Sequence, residues 1–221
     1  MMTSGRMILP LLVAGSALAL APQAEGQQLS GAAFGSYVKT PASTTQSPVA
    51  ALPATGGYAT GEALAFGVPG AVNATWLTAV TSGGADDVAS SAQSSSELEN
   101  VSVLNGLIQT ANVTAIATTW RNASGTANSA DGSGFVNLIV NGVAIATDVA
   151  PNTRVDLPGT GYAVLNEQKT TADGLTVNMI HVFLQGLTGG VVNPLTGRRI
   201  GATLTTIGEI VVGSASAGVA Q

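Results

Sequence analysis

Apolar and polar side chains alternate with a period of two along much of this chain, and this pattern limits the possible folds more than any other feature. In the segment that starts at Val72, Ala74 and Trp76 share one parity, and the polar Asn73 and Thr75 take the other. Successive side chains of a β-strand point to opposite faces, so the pattern predicts a half-buried strand. Trp76 is expected in the core.

Two Asn-Gly pairs predict tight turns between strands. Both central residues of a type I′ hairpin turn have positive φ, a conformation that Asn and Gly adopt more readily than other residues. The first hairpin is expected to run from Val101–Leu104 through Asn105-Gly106 to Leu107-Ile108, and the second from Phe135–Val140 through Asn141-Gly142 to Val143–Ile145.

Other short runs, rich in β-branched residues and bounded by Gly, Pro, Asn or Asp, predict further strands. They are Phe34–Val38, Val72–Val80, Arg154–Leu157, Tyr162–Asn166, Leu175–Leu184 and Ile207–Gly213. Thr40–Gly57 is expected to be a loop. Ala85–Asn100 has two interpretations, because Asp86-Asp87 suits the cap of a short helix whereas the high serine content favours an exposed strand. The sequence therefore predicts an all-β protein with a single antiparallel β-sandwich or barrel-like domain.

The N-terminus has the pattern of a signal peptide. One basic residue precedes an apolar run over residues 7–20, and the small-residue site Ala24-Glu25-Gly26 follows. Export machinery cleaves this pattern, so residues 1–26 are predicted to be removed and the mature chain to begin at Gln27. An uncleaved anchor is the alternative, but the apolar run is shorter than the roughly 20 residues of a spanning helix.

We therefore expect a secreted protein, periplasmic or extracellular, without membrane contact after cleavage and without a C-terminal anchor. The mature chain is predicted to have a flexible N-terminal segment over residues 27–61, with the first strand, and an all-β domain over residues 62–221. Its length suits one domain rather than two.

The composition argues against several classes of function. Charged residues make up only 9% of the chain, against about 25% in typical soluble domains, so Ser, Thr, Asn and Gln must supply the polar surface. The net charge is −5, and the only basic cluster is Arg198-Arg199, which argues against a nucleic-acid partner. Because the chain has no cysteine, it has neither disulfides nor cysteine-bound metals.

Few residues offer catalytic chemistry. The single histidine, His181, shares the parity of apolar residues such as Val177 and is expected to be a neutral core residue. Glu167 is the most interesting carboxylate, because Asp148, Asp156 and Asp173 are near it in sequence. Two facing carboxylates can hydrolyse glycosides, although bonding of strand-end backbone groups is the more common role. Calcium is conceivable near Asp86 or Asp131, but no EF-hand spacing occurs. No catalytic residue, metal site or cofactor is predicted.

A series of short segments resembles a known family. The segments are Gly67–Gly70, Thr81–Gly84, Phe135–Gly142, Pro151–Thr153, Leu157–Gly159, Leu165–Gln168, Gly174–Val182 and Glu209–Ala215. In this order they closely resemble the choice-of-anchor P family of bacterial exported proteins, over nearly the whole predicted mature chain. The resemblance implies an exported protein without an established activity, in which Asn166, Glu167, Gln168 and His181 are motif residues of unknown role. Ser216 stands where family members often have a histidine.

These observations lead to a non-enzymatic envelope or extracellular module, structural or adhesive, with self-association or contact with a cell surface or glycan. The alternative is a secreted domain that binds carbohydrate or a small ligand. For that role, Trp76, Trp120, Tyr58 and Tyr162 are candidate stacking residues, and Trp120 is the one expected to be exposed. A carboxylate-dependent hydrolase that uses Glu167 is the third hypothesis.

Overall fold

The computed structural model describes residues 28–220, which form an all-β structure of two large antiparallel sheets and one two-stranded sheet, consistent with a β-sandwich and without a closed barrel. The strands, in chain order, are β1 (Gln28–Lys39), β2 (Thr44–Ala51), β3 (Gly57–Val68), β4 (Val72–Ala85), β5 (Ala89–Val103), β6 (Ile108–Asn122), β7 (Gly125–Ser129), β8 (Gly134–Val136), β9 (Ile139–Val140), β10 (Val143–Ala144), β11 (Thr153–Leu157), β12 (Gly161–Thr170), β13 (Gly174–Thr188), β14 (Val191–Val192), β15 (Arg199–Ile200) and β16 (Thr203–Ala220). The predicted signal peptide, residues 1–26, lies outside the described residues.

The strands pair in two large sheets. Sheet A has the order β11-β12-β13-β16-β1-β2, and sheet B has the order β10-β9-β6-β5-β4-β3, with β7 and β8 also paired to β6. The last strand, β16, lies between β13 and β1, so the first and last strands of residues 28–220 are neighbours in one sheet. Within residues 28–220 there is no helix of the length and hydrophobicity needed to cross a bilayer.

Both Asn-Gly turns are confirmed. Asn105 and Gly106 have φ of 55° and 89° in the connection between β5 and β6, and Asn141 and Gly142 have φ of 52° and 76° between β9 and β10. The other predicted strands are also confirmed, and several are longer than expected. The run 135–140 is the exception, because it divides into β8 and β9 at a residue with positive φ, Asn137.

Two predictions are wrong in part. The expected loop Thr40–Gly57 contains β2, an edge strand that pairs with β1 from Thr44 to Ala51. An edge strand of small side chains needs only backbone pairing with its neighbour, so it lacks the apolar periodicity that would reveal it. The segment Ala85–Asn100 is mostly strand, but only one face of it is exposed, because β5 lies between β4 and β6 and buries alternate residues such as Ser94.

The core between the sheets combines a large apolar cluster with a region of small side chains. The largest fully buried side chains include Leu77, Leu98, Ile108, Met179 and Ile210. Ala33, Ala50 and Ala79 form a second cluster of their own. Buried hydroxyl-bearing residues add to the small side chains, namely Ser36, Thr81, Ser90, Ser94 and Ser96. Small side chains let the two backbones approach closely, so β1 packs directly against β4 and β5.

The alternation of faces reverses once in the long strands of sheet A. In β16 the core positions are Ile210 and Val212 before Gly213, but Ala215 and Ala217 after it. Gly213 has a φ of +65°, and the pairing ladders with β1 and β13 both omit it. The omitted positions lie side by side across the sheet and are Asn166, Met179, Gly213 and Gly35. We call these four residues the reversal row.

Sheet B reverses its faces in the same manner, and this explains the position of Trp76. Val72 and Ala74 are buried on one parity, whereas Leu77 and Ala79 are buried on the other. The register of β4 against β5 shifts on both sides of Thr75, and Trp76 has a positive φ of 46°. The core prediction for Trp76 is therefore wrong, since its side chain is 61% exposed. A bulge of this kind re-aims a side chain without breaking the sheet.

The reversal row gives a test of the fold. A Cβ at Gly213 would lie 2.7 Å from Val113 Cγ1 of sheet B, at a backbone φ that L side chains rarely adopt. We expect Gly213→Ala to lower the free energy of unfolding by about 1–3 kcal/mol, measured by urea denaturation. Gly84→Ala is the matched control, because this exposed strand glycine has open space around its Cβ position. Equal stability of the two variants would contradict the strained geometry at Gly213.

Candidate functional site

The reversal row brings polar and aromatic side chains together on the outer face of sheet A. In a regular strand, residues three apart point to opposite faces. Across the reversal row they share a face, so Asn178 and His181 of β13 both point outward, whereas Ile180 and Val182 belong to the core. On the neighbouring strands, three other pairs of residues are three apart and share the outer face. They are Val164 with Glu167, Val211 with Ser214, and Phe34 with Tyr37.

His181 is buried as expected but does not face the core between the sheets. The prediction assumes that His181 faces the core because it has the parity of Val177. Residues of this parity face the core only as far as Met179 in the reversal row. Beyond that residue the parity changes, and the ring of His181 lies on the outer face against other side chains of sheet A. The prediction of a core-facing histidine is therefore wrong about the face.

A chain of hydrogen bonds joins four side chains across β12, β13 and β16. Glu167 Oε2 accepts from Asn178 Nδ2 at 2.7 Å and lies 2.8 Å from His181 Nδ1, and Asn178 Oδ1 accepts from Ser214 Oγ at 2.7 Å. Lys169 Nζ lies 2.8 Å from the other carboxylate oxygen of Glu167. Because Glu167, Asn178, His181 and Ser214 are all buried, this chain orders the centre of the outer face. We call these four residues the polar cluster.

The carboxyl group of Glu167 is ionised. Burial opposes its ionisation, but the hydrogen bonds from His181, Lys169 and Asn178 and the charge of His181 outweigh burial and lower its pKa from 4.5 to about 2. An ionised carboxylate only accepts hydrogen bonds, so Nδ1 of His181 carries the proton that lies between them.

An aromatic stack continues from His181 along the same face. The ring centroids of His181 and Phe183 are 4.0 Å apart, and those of Phe183 and Tyr162 are 4.8 Å apart in a stacked arrangement. The guanidinium carbon of Arg154 lies 3.9 Å from the centroid of the Tyr162 ring. His181 Nε2 is buried without a hydrogen-bond partner, and the nearest carboxylate oxygen, on Glu209, is 3.5 Å away. The stack thus fixes the ring plane of His181.

Asn166 and Gln168 have a different role from their neighbour Glu167. Asn166 is in the reversal row with a φ of 50°, and its Nδ2 donates to the backbone oxygen of Val149 at 2.7 Å. The backbone N–H of Gln168 donates to Asn152 Oδ1 at 2.9 Å. Of the four motif residues, Asn166 and Gln168 therefore hold the preceding loop, and only Glu167 and His181 meet on the outer face.

A groove runs along the outer face of sheet A beside the polar cluster. It consists of two adjoining depressions of about 360 and 370 Å³, which share Ala32, Thr176 and Ser216. One end is lined by Phe34, Tyr37, Gln46, Asn178, His181, Glu209 and Ser214, and the other by Lys169, Asp173, Gly174 and Gly218. Small side chains, including Ala32 and Ser216, form the part of the floor that the two depressions share.

The other candidate residues lie elsewhere. Trp76, Tyr58 and Trp120 are exposed on sheet B, which confirms the prediction for Trp120, and Tyr162 is the one aromatic candidate on sheet A. Asp86 Oδ1 accepts backbone hydrogen bonds from Val88 and Ala89, both 2.8 Å long, so it caps the turn between β4 and β5. Among residues 28–220, no group of three or more His, Asp or Glu side chains is arranged to hold a metal ion.

Sequence reasoning missed Asn178, Ser214, Lys169 and Tyr37. Asn178 interrupts an otherwise apolar run in β13, and a polar residue in such a run is a signal of a buried hydrogen-bond network. The positions of the others depend on the reversal row and on the strand order, which the local pattern does not contain.

The chain matches no protein-family model, no curated protein and no solved structure. The resemblance to the choice-of-anchor P family thus stays a prediction, and any functional argument depends on the geometry of the outer face.

The polar cluster predicts a specific dependence of stability on pH. The pKa of Glu167 in the folded protein, about 2, is below its ordinary value of 4.5, so the ionised group stabilises the fold above pH 4.5. This contribution is lost as the pH falls through about 2. We expect Glu167→Gln to lower the free energy of unfolding at pH 7 by about 1–3 kcal/mol, and the difference from the wild type to shrink towards pH 2.

Urea denaturation at pH 7, 4 and 2.5 measures this difference. Glu62→Gln is the matched control, because Glu62 is an exposed carboxylate on β3. A Glu167→Gln penalty that did not change between pH 7 and pH 2.5 would contradict the charged network.

Proposed function

We propose that the protein is an exported, non-enzymatic adhesion module that holds a neutral polysaccharide in the groove on the outer face of sheet A. The observation that carries the proposal is the groove itself, an elongated surface with hydroxyl and amide groups on its floor and aromatic rings at one end. Sugar chains present apolar ring faces and many hydroxyl groups, so they are recognised by aromatic side chains together with fixed hydrogen-bonding groups.

The side chains that suit a sugar are held in place by the sheet. Phe34 and Tyr37 lie next to each other, with ring centroids 6.2 Å apart. Asn178 is fixed by its bonds to Glu167 and Ser214. Groups that are already ordered lose little conformational freedom when a ligand binds, which favours affinity.

The charges around the groove are paired within the protein, which favours a neutral ligand. Lys169 pairs with Glu167 at 2.8 Å, Asp173 lies 4.0 Å from Arg121, and Glu209 lies 3.5 Å from His181 Nε2. The polar atoms that stay open to a ligand are therefore mainly hydroxyl and amide groups. A highly charged polymer would need an uncompensated charge of the opposite sign along the groove.

The same geometry weighs against a hydrolase that uses Glu167. The general acid of a glycosidase needs a raised pKa, whereas hydrogen bonding lowers that of Glu167 to about 2. Ser214 Oγ donates to Asn178, and His181 Nε2 faces Glu209. Neither serine nor histidine is thus arranged as a nucleophile with its base.

Export supports an adhesive role, because the ligand then lies outside the cell. The signal-peptide pattern over residues 1–26 is the basis for this part of the proposal. Adhesion needs a site that retains a polymer without cutting it, and the open groove suits that task.

Ser216→Trp tests the proposal, because Ser216 lies on the shared floor of both depressions and points away from the core. The wild type is expected to bind one or more neutral oligosaccharides on a glycan array, and the variant to lose at least tenfold in affinity by calorimetry. Thr60→Trp, at an exposed position on β3, is the matched control and is expected to bind normally.

Two results would refute the proposal. One is a wild-type protein that binds no glycan on the array, and the other is a glycan that Ser216→Trp binds as tightly as the wild type does.

A further inference from the structure

A two-stranded ribbon extends from sheet A beyond the ends of the neighbouring strands. β13 pairs with β12 only as far as Leu184, and β16 pairs with β1 only from Glu209 onward. Residues 185–208 therefore continue the β13–β16 hairpin beyond both neighbouring strands, first through Gln185–Thr188 with Thr203–Thr206 and then through β14 and β15. We call residues 185–208 the ribbon. At about 3.3 Å per residue, its reach is roughly 30 Å.

The ribbon exposes an unusual amount of apolar surface. Its exposed large side chains are Leu187, Val191, Val192, Leu195, Ile200, Leu204 and Ile207, and Leu195 near the tip is 93% exposed. A two-stranded ribbon alone is marginally stable in water, and exposed apolar side chains in a contiguous patch are typical of an interaction surface. The ribbon is thus built to be covered.

The charges of the chain indicate what covers it. Arg198 and Arg199 are the only charged residues of the ribbon, and both are exposed. By contrast, the sequence from Thr40 to Trp120 contains five acidic residues and no Lys or Arg. This acidic stretch includes all of β3, β4 and β5, which are the three adjacent strands at one edge of sheet B. The two regions are therefore complementary in charge.

One area of sheet B is complementary to the ribbon in hydrophobicity as well. Leu64 and Trp76 occupy facing positions on β3 and β4 and are 73% and 61% exposed. Glu62, Glu97 and Glu99 are exposed on the same and neighbouring strands. We call these five residues the acidic patch. It offers two large apolar side chains between carboxylates, and the ribbon offers aliphatic side chains beside two arginines.

We propose that the ribbon of one copy of this protein docks on the acidic patch of a second copy, so that copies assemble head to tail. Arg198 and Arg199 pair with the carboxylates of the patch, and the aliphatic side chains of the ribbon pack on Leu64 and Trp76. The two surfaces that meet are different, so the contact is heterologous and repeats from copy to copy, giving a filament or a closed ring. An arginine beside the exposed face of Trp76 adds a cation–π contact.

A lipid surface is a poorer occupant for the ribbon. Attraction to anionic lipids commonly uses about four to eight clustered basic residues, whereas the ribbon has two and no aromatic residue. A second copy satisfies both the apolar surface and the charge.

Charge reversal on each side of the contact tests the proposal with the purified protein. Sedimentation velocity is expected to show concentration-dependent assembly of the wild type at micromolar concentrations. Arg198→Glu with Arg199→Glu, or Glu97→Lys with Glu99→Lys, is expected to weaken assembly at least tenfold. Arg154→Glu, which changes an exposed arginine outside the ribbon, is the matched control and is expected to assemble normally.

Mixing distinguishes a heterologous contact from a symmetric one. The ribbon variant has a Glu ribbon and an intact acidic patch, and the patch variant has an intact Arg ribbon and a Lys-containing patch. Unlike variants are therefore complementary in charge at both contacts, so the mixture is expected to assemble in alternation into species larger than a dimer, whereas a reciprocal twofold contact would give dimers only. The chain with all four substitutions is expected to assemble again, because the charges are exchanged.

Four results would overturn the proposal. The first is a wild type that remains monomeric at about 100 µM, roughly a hundredfold above a micromolar dissociation constant. The second is assembly that the ribbon variant does not weaken, and the third is a mixture of the two variants that remains monomeric. The fourth is a monomer that binds vesicles of phosphatidylcholine and phosphatidylglycerol through Arg198 and Arg199. The last result would assign the ribbon to membranes instead.

Discussion

Glu167, Asn178 and His181 lie on the same face of sheet A because the parity of the core-facing residues changes at the same level in four adjacent strands. At Asn166 and Gly213 the backbone has positive φ, and pairing resumes in the same register on the other side. The sheet thus stays continuous while its faces exchange. A regular sheet would place Asn178 and His181 on opposite faces, and the hydrogen bonds that join both to Glu167 would be lost.

The composition explains how a chain with few charges remains folded and polar outside. Apolar residues fill the wide part of the core, whereas Ala and Ser fill the part where β1 and β2 face sheet B. Glu167 is buried with its partners, whereas Arg198 and Arg199 lie exposed on the ribbon.

Local sequence patterns predicted most of the strands but not their faces. The Asn-Gly turns follow from backbone preference alone, so Asn105-Gly106 and Asn141-Gly142 were predictable. Strict alternation places Trp76 and His181 on the wrong face, because sheet B reverses its faces at Trp76 and sheet A reverses them at Met179. β2 was missed because its stability comes from pairing with β1, which lies outside the local pattern.

The candidate site was less predictable than the fold, since it depends on contacts between distant residues. Glu167 and His181 are 14 residues apart and meet through neighbouring strands, so the motif containing Glu167 gave no indication of its partner. The ribbon was equally hidden, because its isolation depends on where β1 and β12 end rather than on its own residues.

The reversal row places His181 against the Glu167 carboxylate on the outer face, and the polar cluster depends on this contact. Because the chain has a single histidine, nitrogen-15 NMR of its imidazole tests this contact directly. We expect Nδ1 to carry a proton that exchanges slowly with water, and this protection to disappear in Glu167→Gln. A rapidly exchanging Nδ1 proton, or an imidazole signal that the substitution leaves unchanged, would contradict this contact.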